Sequence, residues 1–282
     1  MNGQRIVVGY DGSAESGAAV GWATAEAERT KTPLNIVHAY QLGWPAAYYD
    51  GVSAQLIADA ETRAEEALEA LVTSLRSRHT DIEIIGTVLR AAPAQTLLDL
   101  APAAKLLVVG NRGAGGVTNL LMGSVSQQVA THAPVPVAVV RGRTEAGDGP
   151  VVVGVDGSAC TDAALALAFE QAAGRGAEVV AIRAYVPPPP SVLPLGMVEA
   201  SELDALQESL AGWRGKYPDV TVEPRLAAGR AAQVLIGWSS KAQLVVVGSR
   251  GHGGFTGLLL GSVGQQLMHH AHCPVLIAHR PR

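Results

Sequence analysis

Cysteine and lysine are scarce in this chain, and each scarcity excludes something. The two cysteines, Cys160 and Cys273, share no motif, and neither has a counterpart in the other half of the sequence. That excludes a disulfide framework and a cysteine-built metal site, and both are read as reduced thiols. Four lysines (Lys31, Lys105, Lys216, Lys241) and a formal charge of -4 over 282 residues leave no basic face of the kind nucleic-acid binders carry. No apolar stretch approaches the ~20 residues of a membrane span. Met1-Asn-Gly-Gln-Arg5 leads only into a short apolar run without a signal-peptide core. The expectation is a soluble cytoplasmic protein with neither nucleic acid nor membrane as partner.

Several catalytic signatures are missing as well. No Gly-x4-Gly-Lys-Ser/Thr sequence occurs, and neither glycine-rich segment described below contains a lysine to offset charge on a leaving phosphate. No Gly-x-Gly-x-x-Gly follows a first strand, which argues against a dinucleotide dehydrogenase. No serine, histidine and acid set recurs at matching positions in both halves. His269-His270-Ala-His272-Cys273 has a metal-like look, but only His270 has a counterpart, His132, and the segment runs from a helix end into a strand. No catalytic or metal-ligating residue is assigned.

What the chain has in quantity is glycine, 32 residues, concentrated in a segment that occurs twice. Gly110-Asn-Arg-Gly113 continues to Gly123-Ser124, and Gly248-Ser-Arg-Gly251 continues to Gly261-Ser262, with the same nine-residue gap. Each copy follows an apolar run and precedes a helix-like stretch, so it gathers backbone N–H groups and a helix N-terminus around one concavity, as phosphate sites do. Glycine is expected there to admit the ligand closely and to allow positive φ. The serines are expected to cap the following helices and to donate to phosphate. Arg112 and Arg250 lie inside the two segments but are not assigned a role, because a loop arginine is as often solvated or ion-paired.

Matching the halves gives an offset of 145 at Tyr10-Asp-Gly-Ser13 and Val155-Asp-Gly-Ser158, falling to 138 at the glycine segments. Between residues 110–128 and 248–266, 13 of 19 positions are identical, whereas the intervening helices share only apolar pattern. Drift this uneven points to a constraint on the loop beyond packing.

Strands are expected at residues 5–9, 34–39, 83–89, 106–109 and 136–140, then at 151–155, 178–184, 221–227, 244–247 and 275–278. Continuous β-branched runs such as Ile6-Val-Val8 fit parallel strands covered on both faces. The Ala- and Glu-rich stretches between them read as helices, giving an α/β chain of two tandem Rossmann-like open parallel sheets with helices on both faces. The domains are drawn at 1–142 and 151–282, joined by a linker at 143–150.

On such sheets ligands bind beyond the carboxyl ends of the strands at the switch point. Asp11 and Asp156, directly after the first strand of each half, could accept from a ribose hydroxyl, hold a phosphate-bound divalent metal, or cap a turn. Ala39 and Ala184, ending the second strands, leave the backbone free to meet a purine edge. The binding set is therefore Asp11, Ala39, Gly110, Gly113, Gly123 and Ser124, with Asp156, Ala184, Gly248, Gly251, Gly261 and Ser262. Residues 42–52, with Trp44, Tyr48 and Tyr49, either cover a base or pack an interface.

These motifs resemble those of the universal stress protein family in its tandem form. The likeness rests on the Gly-x2-Gly-x9-Gly-Ser pattern in both halves, the Asp-Gly-Ser after each first strand, and the closing Ala133-Pro-Val-Pro-Val137 and His272-Cys-Pro-Val275. It implies five strands per half in the order 3-2-1-4-5, and ATP on the glycine loop with Asp11 and Ala39, or Asp156 and Ala184, in the pocket. It implies pairing of the two halves through their last strands, followed by homodimerisation of the chain, and a nucleotide-dependent stress or dormancy regulator that meets an unidentified protein partner. The alternative is a slow ATPase or phosphotransferase in which Asp11 or Asp156 holds Mg2+. Ala91-Ala-Pro93 stands where the second half has Gly229-Arg-Ala231, so unequal affinities are expected.

Overall fold

The computed structural model describes residues 4–41, 54–113, 122–144, 149–187, 189, 194–251 and 260–279, with the backbone alone at 54–57 and 60. The aromatic segment 42–52, part of each glycine segment (114–121 and 252–259) and linker residues 145–148 lie outside the described residues.

The first half runs β1 (Arg5–Gly9), α1 (Ala14–Thr30), β2 (Leu34–Tyr40), α2 (Ala54–Arg78), β3 (Ile84–Arg90), α3 (Pro93–Leu100), β4 (Ala104–Gly110), α4 (Ser124–His132) and β5 (Val137–Val140). The second runs β6 (Val151–Gly154), α5 (Thr161–Arg175), β7 (Val179–Tyr185), α6 (Leu195–Lys216), β8 (Val222–Ala228), α7 (Ala231–Ser239), β9 (Leu244–Gly248), α8 (Ser262–His270) and β10 (Val275–Ala278). Each expected element is present, with ends displaced by at most a few residues.

Each half has strand order 3-2-1-4-5 with parallel pairing throughout. The halves meet where β5 and β10 pair antiparallel, Val139 opposite Val275 and Val137 opposite Ile277, so two five-stranded sheets form one sheet of ten. This pairing satisfies backbone groups that would otherwise line two open apolar edges. The remaining edges are β3 and β8, and Pro224 in β8 is tolerated because an edge strand has one unpaired side.

Period-two alternation sorts the strand side chains onto two helical layers. Ile6, Val8, Ile36 and Val108 pack with α1, α2, α5 and α6, where Phe169 is fully buried and stacks on Trp213 at 5.8 Å. Val7, Val37, Leu107 and Val139 pack with α3, α4, α7 and α8. Both layers continue across the β5–β10 seam.

A second seam lies between α1 and α5. Glu26, only 3% exposed, accepts from Gln171 Nε2 at 2.6 Å and from Arg175 at 3.0 Å, and it also pairs with Arg29. The charge tolerates burial because both carboxylate oxygens have donors.

Candidate functional site

Each half carries one cavity at the carboxyl ends of its strands, about 390 Å3 in the first and about 330 Å3 in the second. Asp11, Ala39, Gly110, Gly113, Gly123 and Ser124 all line the first; Asp156, Ala184, Gly248, Gly251, Gly261 and Ser262 all line the second. Topology brings them together: β1 and β4 are neighbours, so Asp11 follows one strand directly beside the loop that leaves the other.

The Asp-Gly-Ser turns serve two ends of one carboxylate. Asp11 Oδ1 accepts from Ser13 N at 3.0 Å and Ser13 Oγ at 2.6 Å, while Ser13 caps α1 by accepting from Ser16 N. Asp156 Oδ1 likewise accepts from Ser158 N and from Thr161 Oγ1, both at 2.9 Å. Gly12 and Gly157 have φ of 83° and 76°, the left-handed turn that aims each carboxylate back toward the loop. In both halves the other oxygen, Oδ2, occupies the space that a Cβ on Gly113 or Gly251 would need.

The glycines of the loop are therefore required for three different reasons. A Cβ on Gly110 would lie 2.8 Å from Glu15 O, and one on Gly248 would lie 2.7 Å from Cys160 Cβ; these glycines admit the start of α1 and of α5. Gly113 and Gly251 admit the aspartates. Only at Gly123 and Gly261 would a Cβ meet nothing closer than 3.4 Å and 3.5 Å, facing the cradle near Gly113 N and Gly251 N. None of these six has positive φ, contrary to the expectation from sequence.

The serines also differ from expectation. Gly123 and Gly261 are the N-caps of α4 and α8, with φ of -77° and -71° and no side-chain capping bond, and Ser124 and Ser262 are the first helical residues. A serine inside the first turn does not have the extended backbone of a capping residue. The first-turn N–H groups consequently face the cavity without a capping side chain, which suits an anion.

The rest of each cavity is apolar. Val37, Leu97, Val109 and Met122 form the wall in the first half, and Ile182, Leu235 and Val247 in the second. No motif marks these residues in the sequence, although Val37 and Ala39 share one face of β2 by strand period. Arg112 and Arg250 also line the cavities. The polar rim with an apolar wall is the make-up of a small-molecule site of nucleotide size.

Electrostatics beside the pockets differ between the halves. Burial lowers the His38 pKa, with Asp11 pulling the other way, whereas its counterpart Arg183 pairs with Glu202. At the β5–β10 seam Arg141 Nη1 donates to Met268 O at 2.5 Å. The counterpart of Arg141, His279, has its Nε2 buried without a hydrogen-bond partner among the described residues, and burial pushes its pKa down to about 4, with the nearby backbone of Ala130 pulling the other way. Arg141 and His279 thus reach across a pseudo-twofold axis to the last turns of α8 and α4.

Fold and site together define a tandem doubly wound α/β protein with a phosphate-style cradle at each switch point. The universal stress protein family model matches residues 3–141 and 149–279, and the chain belongs to that family. It is 36% identical to a universal stress protein of Mycolicibacterium smegmatis over 98% of this chain and 97% of that one. It is 35% identical to universal stress protein Rv2005c of Mycobacterium tuberculosis over 97% and 96% of the two chains. Its fold matches the crystal structure of a universal stress protein from Archaeoglobus fulgidus, with TM-score 0.73 and 19% identity, covering 98% of this chain and 96% of that one.

Proposed function

We propose that each half, 1–142 and 151–282, is a nucleotide-binding unit holding one ATP, and that the chain is a nucleotide-dependent stress or dormancy regulator rather than an enzyme. The observation that carries this reading is the convergence of all twelve binding residues on two cavities of about 390 and 330 Å3, each closed by a glycine-capped helix. In this reading the apolar wall takes the base and Ala39 or Ala184 meets its edge through backbone. Asp11 or Asp156 faces the ribose, and Gly113, Gly123 and Ser124, or their counterparts, hold the phosphates. A group with these acceptors and this anionic tail fits a cradle that Gly123 and Gly261 border, where an added Cβ would lie 3.6 Å from Gly113 N or 3.7 Å from Gly251 N.

ATP acts here as a ligand. Binding the folded form alone stabilises it by mass action, and a protein partner can read the bound state. Among the described residues neither cavity is lined by lysine, and Arg112 or Arg250 is the cationic side chain on hand to offset charge on a departing phosphate. The slow Mg2+-dependent ATPase stays as the competing outcome. Incubation with labelled ATP and Mg2+, followed by denaturation, should return ATP; ADP that disappears in Asp11→Ala plus Asp156→Ala would favour the enzyme. No described helix is long and apolar enough to cross a membrane, in keeping with a cytoplasmic place of action. A homodimer of the chain would have to use surfaces other than β5 and β10, whose edges are taken by each other.

A further inference from the structure

The two cavities are near copies in backbone but not in the charge around the phosphate end. In the first half, Arg112 donates from Nη2 to Glu15 Oε1 at 3.1 Å. Glu15 stands at the start of α1, against Gly110. In the second half the residue against Gly248 is Cys160, buried, with its sulfur turned toward Ser249 Oγ at 3.9 Å. The second half thus has no carboxylate at the position of Glu15 and no counterpart of the Arg112–Glu15 pair, while Asp156 lines the cavity with Arg250 as Asp11 does with Arg112. Arg230, the exposed N-cap of α7, is not itself a lining residue; it precedes the lining residue Ala231, where the first half has Ala92 before Pro93. Arg141 lies close enough to Arg112 to feel its charge, but it is engaged by the carbonyls of Met268 and Leu267 and does not line the first cavity.

Resting on the nucleotide reading above, we infer that the two pockets discriminate the length of the phosphate chain. The second is the triphosphate pocket, and the first accepts a monophosphate on more nearly equal terms. A phosphate tail entering the first pocket must displace Glu15 from Arg112 and then remain beside a carboxylate. In the second it meets Arg250 with no such pair to break. Charge-assisted contacts of this kind act on the outer phosphates, which AMP lacks, so the asymmetry appears in the ATP-to-AMP ratio and leaves base and ribose contacts unaffected. Glu15 thereby becomes a specificity-determining residue that touches no ligand, and Cys160 the substitution that removes it.

The test uses full chains with one pocket filled: Gly123→Val leaves the second pocket and Gly261→Val leaves the first. Calorimetric titration with Mg2+-free ATP and with AMP at low ionic strength gives the affinity ratio for each. The ratio of ATP to AMP affinity is expected to be about tenfold higher in the Gly123→Val chain, with charge-assisted contacts on one side and a partly exposed ion pair on the other. Adding Arg250→Gln there should lower the ratio about fivefold, and adding Glu15→Gln to the Gly261→Val chain should raise it about threefold. Both substitutions are at solvent-exposed or half-exposed positions and leave the fold intact. Ratios equal within about twofold in the two chains, or unmoved by both glutamines, overturn the inference while leaving the nucleotide reading standing. Failure of both chains and of the wild type to bind either nucleotide sinks the two together.

Discussion

The carboxylate of Asp11 occupies the space where a side chain on Gly113 would begin, and Asp156 stands in the same relation to Gly251. The Asp-Gly-Ser turn and the glycine loop, some hundred residues apart in sequence, are thus one steric unit, which explains why both halves keep both motifs.

Gly113→Ala should drive Asp11 out of its place and reshape the first pocket. ATP affinity there is expected to fall about tenfold or more, with a stability loss of ~1–3 kcal/mol from the overlap. Titration of ATP in the Gly261→Val background, together with urea unfolding, checks both. Gly110→Ala should cost similar stability for a different reason, since its Cβ would press on the backbone of α1 at Glu15, 2.8 Å away.

Removing the buried carboxylate at the α1–α5 seam should be severe. Glu26→Ala leaves Arg29 and Arg175 without their shared partner at a site 3% exposed, and a loss of about 3 kcal/mol is expected from breaking a buried pair. A fall in midpoint of urea unfolding at unchanged slope is the readout.

His279 should make the fold acid-sensitive. Its pKa is lowered from 6.5 to about 4, so the unfolded chain binds a proton in this range that the folded chain does not. Its contribution is present above pH 6.5 and is lost as pH falls from 6.5 toward 4, by ~1–3 kcal/mol. His279→Gln should flatten that part of the stability curve measured by thermal melts. Burial lowers His38 and His269 too, so a residual slope of the same sign is expected.

Much of this molecule was legible in the chain. Apolar β-branched runs such as Val151 to Val153 gave strands, and repetition gave two halves. The spacing of Gly110, Gly113 and Gly123 marks residues that line the first cavity. Motif identity did not reveal why each residue is there. Three glycines in one pattern answer to Glu15 O, to Asp11 Oδ2 and to ordinary contact with Arg112 Cα and Gly113 N, and only the tertiary approach of α1 and β1 separates these cases. Serine favours caps, so the sequence points to Ser124; Gly123 takes that place, since a bare N-cap leaves room at the cradle. The crossing of Arg141 and His279 was invisible because it depends on antiparallel pairing of β5 with β10, a contact between residues far apart in sequence. The apolar wall carries no sequence signal of its own, because Val37 and Leu97 have the pattern of core residues, and in part they are.

The central claim is that each chain offers two glycine-capped cradles to adenine nucleotide. Native mass spectrometry of the full chain with excess ATP and Mg2+ tests it most directly. Two ATP per chain are predicted, one in Gly123→Val and in Gly261→Val, and none in the double variant. A wild-type chain that carries no nucleotide, or a double variant that still carries two, would contradict it.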